Sequence, residues 1–237
     1  MAEIILNSVS VKNEQKVLFK NLNLKIPANK FTLVTGPKSA GKYLLLKIIG
    51  GILKPDSGTV TLDGIDIYDY QLAENIDYVP FGFIFQNGAL ISNLNVEENL
   101  LLPLDFHFPQ MSQNEKSEKI NYYLQLFSLD NVKKLRPSAL SADILKVIGV
   151  IRAFIVDAKL IIMNEPLDNC EPEHEEIISG IISEKMAENT AFIMVSRNKN
   201  KLDKYVNYVV ELKAHDLVFS GNYADYQIKS NVTKQQG

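Results

Sequence analysis

FTLVTGPKSAGKYLLLKIIGGI, residues 31–52, is the stretch on which the fold turns. FTLVT (31–35) is a nearly continuous apolar run, as expected of an interior strand. GPKSAGK (36–42) is a loop bounded by glycines, and a helix is predicted from about Lys42 to Leu53. Strand, glycine loop and helix together form the layout of a phosphate-binding loop, in which backbone N–H groups and a lysine cradle phosphate. The position after the lysine should be Ser or Thr, whose hydroxyl ligates the magnesium of a bound nucleotide. Here it is Tyr43.

The 237 residues suit one α/β domain, or a core with a subdomain, and are ample for a sizeable hydrophobic core. A net charge of −3 provides no global basic field for nucleic acid or anionic lipid, and no basic stripe interleaves with aromatics, so no nucleic-acid partner is expected. The single cysteine, Cys170, excludes an internal disulfide framework and suits a reducing compartment. MAEIILNSVSVKN alternates like a strand and carries Glu3 early, unlike a signal peptide. The apolar runs fall short of the ~20 residues of a membrane span. A cytoplasmic chain is expected.

Working outward, residues 3–11 and 17–26 alternate apolar and polar and read as half-buried strands joined by a turn at Lys12–Lys16. PDSG (55–58) is a turn, and TVTLDGIDI (59–67) a hairpin around Asp63-Gly64. Residues 87–156 read as helical, with Ser112 as one N-cap and a second helix from about Ser141. AKLIIMNEP (158–166) is a buried strand ending in an acid, 171–188 a helix, TAFIMVS (190–196) a buried strand and 205–221 a closing hairpin. The polar tail 230–237 is expected to fray. The expected fold class is α/β, a P-loop NTPase-like and mostly parallel sheet with an antiparallel β-layer and a helical subdomain. Residues 1–86 and 157–229 would form the core, 87–156 the helical subdomain and 230–237 a flexible tail.

These segments, in this order, resemble the nucleotide-binding subunit of ABC transporters over essentially the whole chain. GPKSAGK (36–42) stands at the Walker A loop, FIFQNGAL (83–90) at the Q-loop and LSADI (140–144) at the LSGGQ signature. LIIMNEP (160–166) stands at Walker B, EPLDNCEP (165–172) at the D-loop and MVSRN (194–198) at the switch histidine. GILKPDSGTVTLDG (51–64) is also typical of the family. FQNGALISNLNVEENLLLPL (85–104) resembles the segment after the Q-loop in Mla/Mce-type lipid transport ATPases.

The resemblance implies that Gly36, Pro37, Lys38, Ser39, Ala40, Gly41, Lys42 and Tyr43 bind nucleotide, with Ser141 and Arg197 contributing. Glu165 would polarise the attacking water, and Gln86 would assist catalysis and be the one remaining, weak, metal ligand. Much of the pattern is altered. Tyr43 puts a phenol where a short hydroxyl belongs, and Asn164 an amide where a carboxylate holds the metal's water shell. Arg197 replaces the switch histidine and stays charged at every relevant pH. Asn13 stands where an aromatic stacks on adenine, leaving Phe19 or Tyr43 as nearby substitutes. Ala142 and Asp143 replace the signature glycines, so Asp143 would face its charge toward an anionic ligand. Glu171 replaces the D-loop aspartate. ATP is the implied cofactor, with Mg²⁺ held weakly or not at all.

Three readings follow. The first is a pseudo-ATPase subunit with a structural or regulatory role, peripheral on the cytoplasmic face of the inner membrane. It would dock a permease through the groove beside Gln86 and the helical subdomain, and form a homo- or heterodimer with an ABC ATPase subunit. The second is a divergent but working ATPase powering lipid transport. The third is a soluble regulator with no transporter.

Overall fold

A computed structural model describes residues 2–13, 16–69, 79–197 and 200–235. The tip of the turn expected at 12–16, Asn198 and the last two residues of the tail lie outside them. Two compact units emerge, one from residues 1–77 and 189–237, the other from 78–188.

The first unit holds two sets of strands. In the antiparallel layer, β1 (Ile4–Asn13) lies between β2 (Lys16–Ile26) and β4 (Ser57–Leu62), and β5 (Ile65–Asp66) pairs with β4. Alternation decides which face is buried: Ile4, Leu6, Phe19, Leu24, Val60 and Leu62 all turn inward. Asp63 and Gly64 both take left-handed φ (50° and 84°), the two-residue hairpin expected from their type. In the second set, β3 (Phe31–Thr35) runs parallel to both β8 (Ala191–Val195) and β9 (Tyr208–Lys213). β10 (Asp216–Asn222) closes against β9.

Helix α1 (Lys42–Ile49) follows β3 and is shorter than the sequence suggests. Gly51 adopts φ 71°, and the Ile52 and Leu53 N–H groups turn back to the Lys47 carbonyl, ending the helix. The Tyr68 hydroxyl secures this end by donating to the Ile48 and Leu53 carbonyls at 2.7 and 2.5 Å.

The second unit pairs β6 (Phe81–Ile84) in parallel with β7 (Leu160–Asn164). It adds α2 (Val96–His107), α3 (Gln113–Leu126), α4 (Ala142–Phe154) and α5 (Pro172–Ala187), with short 3-10 turns at Asp130–Val132 and Pro137–Ala139. This unit therefore takes in β6, β7 and α5 besides the 87–156 segment. Capping boxes at Asn95/Glu98 and Ser112/Glu115 start α2 and α3.

One difference from the sequence expectation is α6 (Tyr223–Gln235), which runs through most of the stretch read as a frayed tail. Its polar composition gave no apolar stripe to detect. It is held instead by contacts with β9 and β10: Lys229 pairs with Glu211 at 2.8 Å, and Tyr226 packs on Phe219. No helix among the described residues is long and apolar enough to cross a membrane.

The loop ahead of α2 hangs on one side chain. Asn99 is fully buried; its Oδ1 accepts from the Ile91 N–H at 2.7 Å, and its Nδ2 donates to the Ile91, Leu94 and Asn95 carbonyls. Asn99→Ala should lower the unfolding free energy by about 2 kcal/mol, because those backbone groups lose a buried partner. Urea denaturation checks this, and a loss under about 0.5 kcal/mol would contradict it.

Candidate functional site

The loop Gly36–Gly41 leaves the C-terminal end of β3. Arg197 lies two residues past the end of β8, its parallel neighbour, so both emerge at the same sheet edge. In open α/β sheets this edge is where ligands bind. Gly36 has φ 133°, and a Cβ there would lie 2.0 Å from the Leu212 carbonyl oxygen, so only glycine fits. An Ala40 N–H bond to the Pro37 carbonyl tightens the loop, with Ala40 buried and Pro37, Lys38 and Ser39 exposed.

Gly41, left-handed at φ 89°, starts α1 with no side-chain cap and no acid in the first turn. The helix thus presents backbone N–H groups and a positive dipole end, which is what a phosphate needs. Lys42 Nζ donates to the Gly36 and Pro37 carbonyls, each at 2.7 Å, holding its cation against the loop. Lys38 and Arg197 are exposed in the same unit.

One aromatic expectation needs correction. Phe19 is completely buried beneath the loop, with the His215 ring edge-on at 5.9 Å, so it cannot stack on a base. Tyr43 is exposed, with Lys47 Nζ 4.7 Å from its ring centroid. Burial nonetheless raises the Tyr43 phenol above its ordinary value, so no phenolate is available to a metal at neutral pH. His215, which packs on Gly41 from the β9–β10 turn, was not legible in the sequence.

In the second unit, Asn164 ends β7 with its amide buried, and Glu165 follows in a left-handed conformation at φ 50°. A non-glycine residue held there carries strain that the surroundings must maintain. Gln86, just beyond β6, donates its amide to Asp168 Oδ2 at 3.0 Å. Cys170 is half-buried; burial pushes its thiol up to about 12, against a smaller opposing pull from Lys146.

At the signature position, Ser141 caps α4 by accepting from the Ile144 N–H at 3.3 Å. Asp143 departs from expectation. Its Oδ1 accepts from the Glu171 N–H at 2.8 Å, and its Oδ2 lies 2.7 Å from His174 Nδ1. The carboxylate is therefore turned onto the start of α5, satisfying a helix N-terminus, rather than aimed outward at a ligand. A cleft of about 300 Å³ beside it is lined by Ser141, Asp143, His174 and the apolar Phe127, Leu129 and Ile144.

The sequence reading also missed Lys146, whose signal was a lone cation within the apolar run ILKVIGVI. Its side chain is buried, and Nζ donates to the Glu165 carbonyl at 2.7 Å and the Phe85 carbonyl at 3.1 Å. Burial pulls its pKa down to about 8, while Cys170, Asp168 and Glu165 pull the other way. Because the folded-state value lies below the unfolded one, the unfolded chain binds more protons between the two, and stability rises with pH across that window. The wild type should gain about 1 kcal/mol relative to Lys146→Met between pH 7.5 and 9. Urea unfolding at both pH values measures it; parallel pH dependences would contradict the assignment.

The loop and Lys42 fit a phosphate. At the positions where the resemblance implies magnesium ligands, the first unit offers the neutral phenol of Tyr43 and the second the neutral amide of Asn164, neither of them the short hydroxyl or carboxylate such an ion prefers.

The family model described as "ABC transporter" matches residues 19–168. The probable ribonucleotide transport ATP-binding protein mkl of Mycobacterium leprae is 30% identical over 179 residues, covering 75% of this chain and 51% of that protein. The chain thus spans about half the length of that relative. The intermembrane phospholipid transport system ATP-binding protein MlaF of Haemophilus influenzae is 28% identical over 220 residues, covering 92% of this chain and 83% of MlaF. Among solved structures, the dimeric post-hydrolysis cassette MJ0796 bound to ADP and Pi superposes with a TM-score of 0.82 at 25% identity, covering 92% of this chain and 98% of that one. On its motifs, its architecture and these likenesses, the chain belongs to the ABC transporter family.

Proposed function

We propose that the chain is the nucleotide-binding subunit of a membrane transporter that binds ATP with little or no dependence on Mg²⁺ and hydrolyses it weakly or not at all. Its role is then structural or regulatory. The observation that carries this reading is the donor set. A phosphate loop is kept with Lys42 in place, while positions 43 and 164 supply neither a short hydroxyl nor a carboxylate. Lys38, Lys42 and Arg197 take over the metal's neutralising role. MlaF, similar over 92% of this chain, is named for phospholipid transport, which supports a lipid cargo.

The partner is a permease on the cytoplasmic side of the membrane, docking on the helical region beyond Gln86. Phe106 is 80% exposed there, with Leu102 and Ile91 also open, and apolar surface of this kind suits a partner. MJ0796 forms a dimer, which supports a homo- or heterodimer with an ABC ATPase subunit.

A second reading, a divergent working ATPase, draws on Gln86–Asp168: that pair sets a carboxylate beside the glutamine, where it could serve a metal. Calorimetry separates the two readings. ATP should bind with the same affinity in Mg²⁺ and in EDTA, and Lys42→Ala should weaken binding at least about tenfold, the loss of one charge-assisted contact. Binding that requires Mg²⁺, together with hydrolysis in the assembled complex that collapses in Glu165→Gln, would establish the second reading instead.

A further inference from the structure

Helix α4 grips the segment around Gln86 along its length. Lys146 donates to the Phe85 carbonyl, the residue just before Gln86. One turn on, Gly149 packs so closely on Gly88 that a Cβ at 149 would meet the Gly88 Cα at 2.5 Å. Another turn on, Arg152 donates to the Gly88 and Ala89 carbonyls, each at 2.9 Å. Residues 146, 149 and 152 recur at helical spacing and form one face. Gly88 itself, at φ 72°, sits where a Cβ would strike the Leu145 carbonyl oxygen at 2.1 Å. The backbone of 85–89 is thus bound to α4 by charged donors and by a close glycine contact.

Of these side chains, Lys146 also reaches the residue that follows β7. The Lys146 ammonium donates to the carbonyl of Glu165, the residue held left-handed at the end of β7. This buried cation has the two carbonyl bonds, with the fields of Asp168 and Glu165, as its compensation for leaving water. Breaking either bond would leave a buried charge short of acceptors, so the two segments are energetically linked through one atom.

We infer that Lys146 is the positioning residue that couples the Gln86 segment to Glu165, so that a displacement of the partner-facing segment 85–89 reaches the backbone of Glu165 through helix α4. Lys146 touches no ligand itself; it acts by fixing the left-handed turn that orients the Glu165 carboxylate. The inference rests on Gln86 and Glu165 being site residues, as proposed above.

Hydrogen exchange on the nucleotide-free chain tests it, which keeps its failure separate from any failure of the nucleotide titration. Lys146→Met should raise exchange at least tenfold in both 86–89 and 165–170, segments far apart in sequence. Val147→Ala, a buried truncation on the same helix, should loosen α4 without that paired pattern. Lys146→Arg should restore protection of both segments. If Lys146→Met does not fold, Lys146→Gln, which keeps an amide donor, is read in the same way, with partial exposure of both segments expected. Exchange that rises in one segment only, or a pattern identical to that of Val147→Ala, would overturn the inference.

Discussion

A cation inside an apolar interior must be answered by nearby oxygens, and the second unit is arranged around one such answer. Lys146 is shielded from solvent, and its ammonium donates to the Phe85 and Glu165 carbonyls. Those two bonds join the chain just beyond β6 and just beyond β7 to one residue of α4. Asp143 adds a second fixed point three residues earlier, tying α4 to the first turn of α5. Asp143, the charge that the family resemblance would turn toward a ligand, instead holds two helices of its own chain together.

In the first unit, Lys38 and Arg197 are exposed at the sheet edge and Lys42 folds onto loop carbonyls. In the second, Asp143, Asp168 and Lys146 each bond a neighbour within the chain.

Much of the fold was legible because periodicity and turn chemistry act locally. Alternation marked β1 and β2, the Asp63-Gly64 pair marked its hairpin, and glycines 36 and 41 marked the loop. What stayed hidden depends on contacts distant in sequence. Asp143 looked like a charge facing a ligand until its partners Glu171 and His174 were placed around it. Phe19 looked like a spare aromatic, but strand pairing turns it into the core under His215. Lys146 and Arg152 stayed hidden, since no pattern reveals which carbonyls a buried cationic side chain will meet. Helix α6 escaped because its stability comes from Glu211 and Phe219, residues outside its own span.

The environment of Cys170 has a practical corollary. It is the chain's single thiol, half-buried, and held protonated far above neutral pH. Alkylating reagents and spin labels attack the thiolate, so this cysteine is nearly silent in the folded protein. A cysteine introduced at an exposed position would be modified first. The natural sequence is thus already a background for placing a single spectroscopic reporter, with no need to remove the native thiol.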